Sequence, residues 1–169
     1  MVNKLTITDA TGLDPITVYA EDFGPGQGKI TITCFGEAWS HYWSHMGETT
    51  KLADFFCSCD EDYLAHKLKT GIDDEIDDDD SELLEQLLKT EIIKDRLTTD
   101  IGKDRARELW KRVVALDPHD ITEKSDLCFE VLGDEWWYRT PKKPNPNYQY
   151  LCCIINAVKA ALREAPHAP

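Results

Sequence analysis

The chain has 169 residues, with 19 Lys+Arg against 32 Asp+Glu and a formal net charge of -13 at pH 7. That length suits one ordinary domain, or a compact core with a small helical appendage, and two full domains are not expected. The charge repels phosphate backbones and anionic lipid, which argues against direct nucleic-acid binding and against membrane-surface binding. A hydrophobic fraction of 41%, with five Trp, six Tyr and five Phe, is more core material than a disordered acidic chain carries.

The opening residues Met1-Val2-Asn3-Lys4-Leu5-Thr6 lack the apolar run of a signal peptide. No stretch approaches the roughly 18 apolar residues of a membrane span. A soluble, intracellular protein is therefore expected. In that setting Cys34, Cys57, Cys59, Cys128, Cys152 and Cys153 are expected as free, mostly buried thiols rather than a disulfide framework.

Leu5 and Ile7, then Ile16, Val18 and Ala20, alternate with polar residues around the turn-prone segment 11–15, and predict two strands. Gly24-Pro25-Gly26-Gln27-Gly28 predicts a hairpin turn, lacking the G-K-[ST] ending of a phosphate loop. Residues 29–35 predict the third strand. Trp39, Tyr42, Trp43 and Met46 then fall at i, i+3, i+4 and i+7, which predicts a short helix from Glu37 with Gly47 as its stop. Two further short helices are expected around Leu52-Phe56 and Tyr63-Leu68.

Eight of the ten residues from 73 to 82 are acidic: Asp73, Asp74, Glu75, Asp77, Asp78, Asp79, Asp80 and Glu82. Mutual repulsion predicts an extended, hydrated linker or loop over 72–81. Asp79, Asp80 or Ser81 can cap a helix over 82–97, and Thr99 or Asp100 can start the next, which Asp117-Pro118 ends. Asp120 with Glu123 predicts a capped helix ending at Gly133, Trp136-Trp137-Tyr138 a strand or packed loop, and Asn147 the start of a last helix over 148–164. The expected class is α+β: a small N-terminal antiparallel β-meander with short aromatic-rich helices, followed by a helical C-terminal half. The expected organisation is a unit over 1–71, the acidic segment, and a helical region over 82–169 packed on the first unit as one domain.

His41 and His45, four apart on the expected polar helix face, with Cys57 and Cys59 downstream, form a candidate zinc set for a hydrolase or a zinc-stabilised module. The one-residue spacer between the cysteines is poor geometry for one ion, and no H-E-x-x-H supplies a base. The acidic run fails the calcium pattern D-x-[DN]-x-[DN]-G-x5-E, because no glycine lies in 73–82 and the last ligand position falls on Leu84 or Leu88. No G-x-S-x-G or activated-thiolate context is present. The sequence therefore gives no catalytic residues and no cofactor apart from the zinc alternative.

Charge location is the stronger signal. From Asp54 to Asp100 there are 16 acidic and five basic residues, which is -11 of the chain's -13. Duplex DNA carries one charge per roughly 1.7 Å, so an ordered row of carboxylates can occupy a basic groove in its place. A solvated linker is the competing reading, because mimicry requires carboxylates held in place.

The stretch from Ile30 through Gly36, Trp39, His41, Trp43 and His45 to Gly47, followed by Phe55-Phe56 and Cys59-Asp60-x-Asp62-Tyr63-Leu64, resembles a family of small acidic proteins encoded in early or accessory regions of tailed bacteriophages and prophages. The resemblance covers about residues 16–70 and carries over no activity, so no residue inherits a catalytic role. It implies a bacterial host cytoplasm, where small acidic proteins disable nucleases, restriction enzymes or CRISPR effectors. The expected function is a non-enzymatic interaction protein that binds and inhibits a basic nucleic-acid-handling host or phage protein. Asp73, Asp74, Glu75, Asp77 to Asp80 and Glu82 are the expected contact, with Asp60, Glu61 and Asp62 as a second patch. The alternatives are the zinc module and a structural or assembly protein that homodimerises through its aromatic helix.

Overall fold

The computed structural model describes residues 2–78, 81–98, 100–117 and 119–164. The elements in chain order are β1 (Val2–Ile7), β2 (Ile16–Gly24), β3 (Gln27–Cys34), β4 (Glu37–Trp43), α1 (Leu52–Ser58), α2 (Glu61–Leu68) and β5 (Glu75–Asp77). They continue with α3 (Ser81–Leu97), α4 (Lys103–Ala115), α5 (Ile121–Leu132), a 3-10 turn (Trp136–Tyr138), β6 (Lys142–Pro144) and α6 (Pro146–Glu164). The architecture is α+β. The chain divides into two compact units, Met1–Asp74 with Pro144–Pro169, and Glu75–Lys143.

In the first unit β1 to β4 form an antiparallel meander in sequence order. The register sets Ile16 opposite Cys34, Val18 opposite Ile32 and Ala20 opposite Ile30, so the alternating apolar residues form aligned rows on one face. That face is covered by α1, α2 and α6, with Phe56, Leu52, Leu64, Ile154, Ile155 and Val158 fully buried against it. Each such side chain contributes about 1.5–3 kcal/mol on leaving water. The opposite face carries Tyr19, Thr31 and Ser40, with Thr31 Oγ1 and Ser40 Oγ 2.9 Å apart. The expected turn at 24–28 joins β2 to β3. Gly26 sits there at φ +68, and a Cβ on it would come within 1.9 Å of the Gly47 carbonyl oxygen, so this position admits no side chain.

The expected helix from Glu37 is instead strand β4. Phe35 at φ 48 and Gly36 at φ 80 form a two-residue connection with both central residues at positive φ, the arrangement that turns a strand back on itself. Trp39, His41 and Trp43 then share the inner face opposite Ile32, Ile30 and Gly28, while Ala38, Ser40 and Tyr42 point outward. The helical spacing of Trp39, Tyr42, Trp43 and Met46 coincides with a period of two at its first and third members, and the turn decides between them. Trp39 and Trp43 are buried, and the Trp43 indole N–H donates to the Tyr63 hydroxyl at 3.0 Å.

The two short helices that follow are α1 and α2. Asp22 on β2 caps α1 from a distance, its Oδ1 accepting from the Leu52 amide at 2.8 Å. Asp60 caps α2 through the Tyr63 amide at 2.6 Å. At the far end of α1, Lys159 donates to the Cys59 carbonyl and Arg163 to the Cys57 carbonyl, so cations on α6 serve the negative end of that helix.

In the second unit α3, α4 and α5 bury Leu84, Leu88, Ile92, Leu109, Val113, Leu127 and Leu132 in a core of their own. Arg112 bridges Glu123 and Glu130 on α5, and Arg105 also reaches Glu130. The α5 boundaries are those expected: the Asp120 side chain accepts from the Glu123 amide, and Gly133 follows the last turn. Two details differ from expectation and a third is refined. Gly102, rather than Thr99 or Asp100, precedes α4, and Asp100 accepts a hydrogen bond from Thr98 instead; Thr99 lies outside the described residues. Trp136–Tyr138, expected as a strand or packed loop, is a 3-10 turn whose Trp136 packs against the core. The last helix begins at Pro146 and belongs with the first unit, whereas the sequence grouped it with the helices from 82 onward. Its Ile154, Ile155 and Val158 complete the core against the sheet, a long-range partnership that leaves no trace in local periodicity.

Candidate functional site

The acidic segment enters through a clasp. Asn145 is 8% exposed, and its side-chain amide donates to the Asp73 carbonyl at 2.7 Å while its backbone N–H donates to the Asp74 carbonyl at 2.8 Å. Its Oδ1 also accepts from the Asn147 amide at 3.0 Å, capping α6. Pro146 next to it needs no N–H partner in the first helical turn. One asparagine thus fixes both the start of the acidic run and the start of the last helix.

Beyond Asp74 the run is extended, as repulsion predicts, but it is paired rather than loose. Glu75–Asp77 forms β5 beside β6. The Asp77 carboxylate meets the Lys142 ammonium, and Asp78 meets Lys143 at 3.4 Å. The Asp78 amide donates to the Pro141 carbonyl at 2.9 Å. The segment therefore has two parts. Asp73, Asp74 and Glu75 are exposed, and their carboxylates form no ion pair with a described residue, whereas Asp77 and Asp78 have lysines. Asp79 and Asp80 lie outside the described residues. Glu82 stands exposed in the first turn of α3, where a carboxylate favours the helix terminus.

Asp77 and Asp78 also border a cavity of about 500 Å³ within the helical unit, together with His119, Lys124, Ser125 and Trp136. Its lining mixes both charges with an indole.

The second expected patch has a structural occupation. Asp60 caps α2, Glu61 accepts from the Asn156 side-chain amide at 2.5 Å, and Asp62 accepts from the Tyr148 hydroxyl at 2.8 Å. Partial burial, then the bond to Asp62, holds the Tyr148 phenol well above its ordinary range. Asp62 also lies 3.3 Å from His66 Nδ1. Glu61 and Asp62 fasten α2 to α6, and Asp60 caps α2 itself.

The candidate zinc set is not assembled on a helix. His41 lies on β4, its ring 4.6 Å from Trp43, and part-burial with nearby Lys67 lowers its pKa. His45 is exposed beyond the strand. Burial pushes the Cys57 and Cys59 thiols up, keeping them as neutral S–H groups. Among the described residues no group of three or more His, Cys, Asp and Glu is placed to hold a metal ion. All six cysteines are free, two of them buried and only Cys153 exposed. The aromatic helix on which the homodimer alternative rested is replaced by β4, with its tryptophans turned into the core.

Sequence reasoning missed Asn145, Lys142 and Lys143. The signal was the segment Lys142-Lys143-Pro144-Asn145-Pro146-Asn147, whose paired cations complement the paired acids at 77 and 78.

The fold is an α+β scaffold to which the start of an acidic segment is fastened by Asn145. A protein-family model described as a phage family, Phage_phiTE_072, matches residues 1–164. The chain belongs to this phage protein family. No curated protein and no solved structure matches it. Among the described residues no helix is long and apolar enough to cross a membrane.

Proposed function

We propose that this phage protein binds and inhibits a basic nucleic-acid-handling protein, of host or phage, by presenting carboxylates in place of phosphates. A nuclease, restriction enzyme or CRISPR effector of the bacterial cytoplasm has the complementary chemistry. The observation that carries the reading is the Asn145 clasp, which sets Asp73, Asp74 and Glu75 as three consecutive exposed acids on tethered backbone. Glu82 and the acids between it and β5 extend the contact.

The test is capture from a bacterial lysate by immobilised wild type and by the triple variant Asp73→Asn, Asp74→Asn, Glu75→Gln, at two salt concentrations. Wild type is expected to retain a basic protein that duplex DNA displaces, with retention falling steeply as salt shortens the screening length. The triple variant is expected to lose it while keeping its circular dichroism spectrum. Undiminished capture by the neutralised variant refutes the proposal.

A further inference from the structure

The helical unit carries a surface whose chemistry is the reverse of the acidic run. On α3 and α4, Ile93, Leu97, Ala106 and Trp110 line an open apolar groove of about 270 Å³ rimmed by Arg96 and Arg107. Ile93 and Leu97 are one turn apart on α3, and Ala106, Trp110 and Val114 repeat at the same interval on α4, so the apolar stripe runs along both helices. Leu97 is 78% exposed, Val114 58% and Ile93 49%. Ile93, Leu97 and Val114 lie outside the unit's core, which takes Leu88, Ile92, Leu109 and Val113, while Ala106 packs against it and Ile92 forms part of the groove floor.

Trp110 is held in advance of any partner. The Lys89 ammonium lies over its ring, 5.1 Å from the centroid, and is itself tied to Glu85 on the preceding turn. An indole fixed this way loses little freedom when covered, which is what makes tryptophan effective as an interface anchor.

The electrostatics select the occupant. On a chain of net charge -13, the described residues lining this groove include two guanidinium groups and no carboxylate. Among the described residues Arg96 makes no ion pair and Arg107 pairs only with Asp104 at 3.4 Å, both highly exposed. A basic helix would be repelled, and a neutral one would desolvate the arginines without compensation. A second copy docking groove to groove would bring like charges together. We propose that the α3–α4 groove docks an acidic amphipathic helix of a partner protein, its apolar stripe on Ile93, Leu97 and Trp110 and its flanking carboxylates on Arg96 and Arg107. This surface is separate from the acidic segment, and the proposal does not rest on that reading.

The test uses the full-length protein and fluorescein-labelled helical peptides of about 15 residues, roughly 22 Å long. One set carries Leu or Phe at i, i+4, i+7 and i+11 with Glu at the flanking positions, and a matched set carries Lys there. By fluorescence anisotropy the Glu set is expected to bind at least about tenfold more tightly than the Lys set. Leu97→Asp should weaken binding by about tenfold or more, and Arg96→Glu with Arg107→Glu should reverse the preference between the sets. All three substituted side chains are exposed, and an unchanged thermal melt shows that the fold is intact. Neutralising Asp73, Asp74 and Glu75 should leave peptide affinity unchanged, which separates this groove from the acidic contact. Equal binding of the two sets, binding of neither, or indifference to Leu97→Asp overturns the proposal. So does sedimentation showing a dimer that Leu97→Asp dissociates, since the occupant is then a second copy.

Discussion

Removing the Asn145 side chain should both loosen the acidic segment and weaken the last helix. In Asn145→Ala the cap on α6 disappears, at a cost of about 1 kcal/mol. The Asp73 carbonyl loses its donor at a part-buried position, at a further cost of about 1 kcal/mol. The backbone bond from residue 145 to Asp74 survives, so the expected loss is about 2 kcal/mol, or roughly 4–8 °C in a chain of this size. Asn145→Asp separates the two contributions. Its carboxylate still accepts from the Asn147 amide, at a helix terminus that favours negative charge, but it cannot donate to the Asp73 carbonyl. That variant should lose about 1 kcal/mol. Urea unfolding followed by circular dichroism gives the stabilities, and hydrogen exchange at Glu75 and Ile76 reports the segment directly. Exchange there should accelerate in both variants. Wild-type protection and a stability loss under about 0.5 kcal/mol in both would show that the clasp does not hold the acids in place.

Stability should decline on acidification through His41. Part-burial and Lys67 disfavour its charged form, so below the ordinary value of 6.5 the unfolded chain binds the proton first and folding weakens as pH falls toward the lower native value. His41→Gln should flatten this part of a pH series of melting temperatures, and an unchanged slope would assign the effect to other groups. Phe35→Asn should raise stability by roughly 0.5–1 kcal/mol, because asparagine tolerates the positive φ of the β3–β4 turn and the phenyl ring is 79% exposed; a destabilised variant would mean that the ring makes a contact in solution. Replacing residues 75–144 by Asn-Gly should leave a folded sheet-and-helix protein. The Asp74 carbonyl already bonds the Asn145 amide, so two residues close a β-turn between them. Loss of a cooperative melt in this deletion would refute the division into units.

The parts of the fold legible in the sequence were those decided by nearest neighbours. Ile16, Val18 and Ala20 against Ile30, Ile32 and Cys34 reveal β2 and β3 because one face of each is apolar. Asp120, Glu123 and Gly133 delimit α5 because caps are local chemistry. The β4 error arose where two periods agreed on Trp39 and Trp43 and the deciding feature was the positive φ of Phe35, a residue type that rarely adopts it. In the acidic segment, charge repulsion suggests a hydrated linker or loop, whereas Glu75–Asp77 is paired as strand β5. What it could not give was Lys142 and Lys143, which lie 65 residues away from Asp77 and Asp78. Asp60 is a local cap on α2, whereas Glu61 and Asp62 look like surface charge in the sequence and become clasps only once α6 is beside α2.

The interrupted layout of the first unit constrains how the molecule is made. A ribosome delivers the four strands, α1 and α2 before the second unit and α6 after it, so the part of the sheet's inner face that α6 covers waits while the intervening helices are synthesised and close on themselves. During that interval Ile154, Ile155 and Val158 do not yet exist to shield Ile16, Ile30 and Ile32. Slow translation between codons 75 and 145 should therefore lengthen the nascent chain's exposure to chaperones and proteases, which makes yield in the cell sensitive to elongation rate at a point outside the four-stranded sheet.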